Sequence, residues 1–81
     1  MDKLPMTKEG IERLIIADLH NYPDCDKAFG VMVVPVIDRA NAATWTVSRF
    51  HAGASDSAAC DRALQHIVPL FQRIYELVRI H

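Results

Sequence analysis

Lys27-Ala28-Phe29-Gly30-Val31-Met32-Val33-Val34-Pro35-Val36-Ile37 is the stretch on which the fold turns. It reads as a strand with two apolar faces, since Phe29, Val31, Val33 and Ile37 alternate with Met32, Val34 and Val36. Pro35 has no amide hydrogen for a ladder, so its position is expected at an unpaired edge or a bulge. Asp38-Arg39-Ala40-Asn41-Ala42 is a polar connection of hairpin length. The strand expected next, from about Thr44 to Phe50, differs in kind. Trp45 and Val47 point one way while Thr44, Thr46 and Ser48 point the other, which gives one wet face.

On the N-terminal side, Thr7 is placed to cap a helix, with Met6 and Ile11 as its hydrophobic staple. Ile11, Leu14, Ile15 and Leu19 follow the helical period, and Pro23 ends the helix near His20 or Asn21. Asp24-Cys25-Asp26 then reads as a turn. On the C-terminal side, His51-Ala52-Gly53-Ala54 leads to Ser55, Asp56 and Ser57, any of which can cap a second helix running to about Arg79. Its apolar residues, from Cys60 through Leu64, Ile67, Leu70 and Phe71 to Val78, fill one half of the helical wheel. Pro69 falls on the polar half, where water satisfies the carbonyl it frees. It is therefore expected to kink the helix rather than stop it, at a local cost of about 3 kcal/mol.

The predicted order is helix–strand–strand–helix. The expected class is α+β, a two-layer α-β-β-α sandwich with both helices on one face of an antiparallel hairpin. Eighty-one residues make a single domain. Such a chain buries only roughly 60–65% of its surface and is marginal without a staple or a partner. Hydrophobic residues are 51% and charged residues 23%, a globular balance, and the net charge is −1. Lysines and arginines are scattered rather than gathered on one face, which argues against nucleic acid as a partner. The first ten residues show no secretory h-region, and the longest apolar run, Ala28 to Ile37, is too short to span a bilayer. A cytoplasmic protein is the expectation, since Cys25 and Cys60 do not make a secreted disulfide framework.

Chemical motifs fail one by one. His20, Cys25, His51, Cys60, His66 and His81 lack the close pairs that present two ligands to one ion. Ser55, Asp56 and Ser57 beside His51 are what helix capping alone produces, and Cys25 between two aspartates is the wrong setting for a thiolate. Asp24 and Asp26 lack the further ligands of a calcium loop, and Gly10, Gly30 and Gly53 are isolated rather than clustered as in a phosphate loop. Arg62, His66 and Arg73 form a strip that Asp61 and Glu76 flank, a mixed solvated face. No catalytic, cofactor-binding or metal-binding residue is assigned, and no cofactor is implied.

What remains is surplus apolar surface. If Ile37 opposes Thr44, then Met32, Val34 and Val36 join Trp45 and Val47 against the helices. Phe29, Val31, Val33, Ile37 and Phe50 are then left outside as an interface. A slip of one residue exchanges the two rows. Either way a row of valines has no cover, and a two-stranded sheet is marginal alone. The expected answer is a non-enzymatic interaction or regulatory module that acts as a homodimer. The alternative is a small ligand-binding protein or enzyme with a pocket between the first helix and the hairpin, near Asp18, Arg49 and His51.

Trp45-Thr46-Val47, Cys60-Asp61-Arg62-Ala63-Leu64 and Tyr75-Glu76-Leu77 give the last half of the chain a resemblance. It resembles small uncharacterised bacterial proteins of α-β-β-α layout. Those proteins have no assigned activity, so the resemblance implies none.

Overall fold

The computed structural model describes residues 3–38 and 43–78. It is an α+β protein of two helices and two small sheets: β1 (Leu4–Met6), α1 (Lys8–Leu19), a 3₁₀ turn (Pro23–Cys25), β2 (Gly30–Asp38), β3 (Ala43–His51), α2 (Ser57–Ile74) and β4 (Tyr75–Leu77). β2 and β3 form an antiparallel hairpin, and β1 pairs with β4 in parallel. The hairpin connection expected at 38–42, save for Asp38 at the end of β2, lies outside the described residues, as does Arg79 itself.

The helix starts follow from local chemistry. The Thr7 hydroxyl accepts the Gly10 amide at 3.0 Å, and the Asp56 carboxylate accepts the amides of Ala58 and Ala59 at 3.0 and 3.3 Å. α1 ends at Leu19 with His20 as its cap, and Pro23 opens the 3₁₀ turn that follows. α2 runs through Pro69, which is exposed, as its place on the polar half of the wheel requires. Gly53 adopts φ +62°, and a Cβ there would meet the Lys27 carbonyl at 2.7 Å. Only glycine closes that loop without strain.

Ile11, Ile15 and Leu19 from α1, Val31 and Val33 from β2, Trp45 from β3, and Ala63, Leu64 and Ile67 from α2 form one core. The choice between the two apolar rows of β2 is therefore made. Val33 is fully buried and Val31 nearly so, whereas Met32 between them is 44% exposed. Val33 faces Val47, Val31 faces Phe50 and Pro35 faces Trp45. An extra residue of β2 between Pro35 and Asp38 shifts the register and turns the Val33 row towards Trp45 and Val47; Ser48, an extra residue of β3, shifts it back beyond Val33, so that Phe50 faces Val31.

Two expectations are corrected at the C-terminus of α2. The helix ends at Ile74, not near Arg79, although the apolar period continues. Tyr75 turns to extended geometry and its amide still donates to the Phe71 carbonyl. Three tertiary bonds hold the chain extended from there: the Trp45 indole donates to the Tyr75 carbonyl, the Leu77 amide donates to the Thr44 hydroxyl, and the Val78 amide donates to the Met6 carbonyl. β1 and β4 have no counterpart in the sequence reading. Pro5 is tolerated because β1 has β4 as its one neighbour among the described strands, and alternation turns the Pro5 nitrogen away from it.

Cys25 and Cys60 form a disulfide between the 3₁₀ turn and the first turn of α2, with Cα atoms 5.6 Å apart. Nothing in the spacing of the two cysteines predicts that pairing. Both are buried. The same junction carries two main-chain bonds, from the Asp56 amide to the Asp24 carbonyl at 3.1 Å and from the Lys27 amide to the Ser55 hydroxyl at 2.9 Å.

Candidate interaction surface

Residue alternation gives the hairpin an inner and an outer face. Met32, Val34 and Val36 stand on the outer face of β2, opposite Thr46 and Arg49 of β3. Val34 and Val36 are half-buried and Met32 is exposed. Of the interface expected from sequence, Val31 and Val33 are instead core residues, because the register shift between Pro35 and Asp38 turns their row towards the face of Trp45 and Val47. Phe50 is half-buried on the inner side, and the Ile37 side chain lies outside the described part. Phe29 is 80% exposed and meets the His51 ring edge-on, with centroids 6.3 Å apart. The outward row is thus the alternate one. A second apolar strip, which periodicity assigned to the core, is Leu70 and Ile74 on α2, with Leu70 51% exposed.

The two edges of the hairpin are closed differently. On β2, the Val33 amide points away from β3 and donates to the Glu12 carboxylate of α1 at 2.9 Å. The same carboxylate pairs with Lys8 at 2.8 Å, which raises the Lys8 pKa above its ordinary value. Two residues on, Pro35 occupies the same edge and has no hydrogen to offer. On β3, the Trp45 carbonyl accepts the Gln72 side-chain amide at 2.7 Å. Both residues therefore sit in the pairs whose main-chain groups point outward, the non-hydrogen-bonded pairs Val33–Val47 and Pro35–Trp45.

Beside each edge runs a groove against a helix. The β2–α1 groove, about 660 Å³, is lined by Glu12, Arg13, Ile16, His20, Phe29 and Val31 among others. Here the His20 Nε2–H donates to the Ala28 carbonyl at 3.2 Å. The β3–α2 groove, about 640 Å³, is lined by the five consecutive residues Thr46 to Phe50 and by one stripe of α2.

Asp18, Arg49 and His51, the residues named from sequence for a ligand pocket, are not brought together. A groove does lie between α1 and the hairpin, but none of the three lines it; Arg49 stands on the rim of the other groove. Among the described residues no three histidines, cysteines or carboxylates converge as a metal site, and no helix is long and apolar enough to cross a membrane. No family model matches the chain, and no curated protein or solved structure matches it either.

Proposed function

We propose that the chain is a small non-enzymatic interaction module that acts as a homodimer, with the outer face of the hairpin stacked on that of a second copy. In this reading both helices form one layer on the inner face, and the outer row Met32, Val34 and Val36 is the seam. The supporting observation is that row itself: three apolar side chains in alternation on a two-stranded sheet, one of them 44% exposed. Stacking is preferred to edge pairing along β2, because Glu12 occupies the Val33 amide and Pro35 interrupts the donor row. A second copy is the partner that requires no further component, and a two-fold axis lets the patch cover itself.

Sedimentation velocity at micromolar concentration tests this. The expected species has twice the 9.1 kDa of the chain, and Met32→Asp converts it to monomer with its circular dichroism unchanged. A clean monomer for the native chain overturns the reading. A cytoplasmic location belongs to the same proposal and has a corollary: reducing conditions there would hold Cys25 and Cys60 as a buried dithiol rather than the disulfide.

The rival, a ligand pocket between α1 and the hairpin, draws on the β2–α1 groove. Two of its polar groups, Glu12 and His20, already serve internal bonds, which leaves it the weaker reading.

A further inference from the structure

We infer that the β3–α2 groove is a binding site for an extended peptide, which adds to β3 as a third strand beneath the flank of α2. A strand that shows its face to a cavity contributes alternate residues, whereas Thr46, Val47, Ser48, Arg49 and Phe50 are consecutive. It is the edge of β3, main chain included, that borders the space.

The direction of the main-chain groups follows from the pairing. Val33 gives its amide to Glu12 and Trp45 gives its carbonyl to Gln72, so the pair between Val33 and Val47 is a non-hydrogen-bonded one. The amide and carbonyl of Val47 therefore point out of the hairpin into the groove. Phe50, opposite Val31 two residues earlier on β2, does the same beyond the Ser48 bulge. Trp45 is met by Gln72, and Thr44 by Leu77. From Thr46 to Phe50, among the described residues, no group outside β2 bonds the main chain. This is the open stretch of an edge that Gln72 closes at Trp45.

The opposite wall suits the same occupant. Ser57, Asp61, Leu64, Gln65, Val68 and Pro69 form one stripe along α2. At 1.5 Å per residue, the twelve-residue step from Ser57 to Pro69 spans about 18 Å. A five-residue strand spans about 17 Å. Leu64 and Val68, with Val47 and Phe50, supply an apolar floor for alternate side chains. Arg49 and Asp61, on opposite walls, make no ion pair among the described residues and offer charges to the peptide's polar positions. This is recognition by strand addition, with main-chain bonds for affinity and alternate pockets for sequence. A second copy does not fit the same edge. Its own α2 flanks the β3 it would have to insert, and two helices would compete for one space. The site shares Thr46 and Arg49 with the margin of the outer face, but its main-chain groups and apolar floor do not involve the Met32, Val34 and Val36 row.

Selection from a displayed library of random heptapeptides, followed by synthesis of the enriched sequences, tests the proposal. Peptides with apolar residues at alternate positions are expected to bind the native chain. In amide hydrogen exchange, Val47 and Phe50 exchange freely without peptide and become protected with it. N-methylation of every second peptide residue in one phase weakens binding at least about tenfold, and in the other phase leaves it unchanged. Gln65→Trp fills the groove from an exposed position and abolishes binding while the fold is retained. No enrichment, binding without protection of these amides, or binding indifferent to Gln65→Trp overturns the proposal. Protection of Val47 and Phe50 that rises with protein concentration in the absence of peptide also overturns it, because a second copy then occupies the edge.

Discussion

The hairpin is fastened at both ends, but by different means. At its open end, where β2 begins and β3 finishes, the 3₁₀ turn is joined to the start of α2 by the Cys25–Cys60 disulfide. The bonds Asp56–Asp24 and Lys27–Ser55 reinforce that junction. At its turn end the fastening is one aromatic residue. Trp45 is fully buried, donates its indole hydrogen to the Tyr75 carbonyl and accepts Gln72 on its main-chain carbonyl, so β3, α2 and β4 meet on a single residue. The first device restricts the unfolded chain, and the second fills the folded one. A domain of 81 residues uses both because neither its core nor a two-stranded sheet suffices alone.

That contrast ranks the expected losses. Trp45→Ala removes the largest core side chain and an indole bond, and is expected to cost about 3–5 kcal/mol, a large share of the stability of so small a domain. Urea denaturation followed by circular dichroism measures it. Reduction of Cys25–Cys60, which spans 35 residues, should cost less, about 2–4 kcal/mol. Thermal melts with and without dithiothreitol read this loss, and the double variant Cys25→Ala, Cys60→Ala should be blind to the reductant. Were reduction to cost more than Trp45→Ala, the open end rather than the turn end would dominate. Acid-trapped alkylation of chain taken from cells shows which state the pair holds there. Two labelled thiols fit the cytoplasmic proposal, and none removes it. The smallest effect falls on the polar part of the open end. Asp56→Ala removes the cap of α2 and should cost about 1 kcal/mol, seen as a shift in the urea midpoint with an unchanged slope.

Much of the fold was legible because it is encoded within a few residues. Thr7 and Asp56 announce helix starts by offering an oxygen to amides two or three positions on. Pro23 closes off α1, and Pro69 could be placed on a wet face from its wheel position alone. The candidate site was legible only as a quantity, too much apolar surface on β2, and not as a position. Both rows of that strand satisfy the same alternation. Val31 and Val33, assigned outward, became core, and the outward role passed to Met32, Val34 and Val36. The open edge of β3 gave no sequence signal, since main-chain direction depends on register and not on side-chain type.

The sequence by itself determined the two helices, the hairpin and the surplus of apolar surface, because capping, periodicity and proline geometry act over three or four neighbours. Only the tertiary structure decided what the surplus means. A one-residue register shift between Pro35 and Asp38 chose the row of β2 that enters the core. Trp45 and Thr44 drew Tyr75 to Leu77 out of a helical pattern into a strand. Packing brought Cys25 to Cys60 across a sequence separation of 35. Each of these is a meeting of groups far apart in sequence, where local preference is nearly neutral and packing settles the outcome.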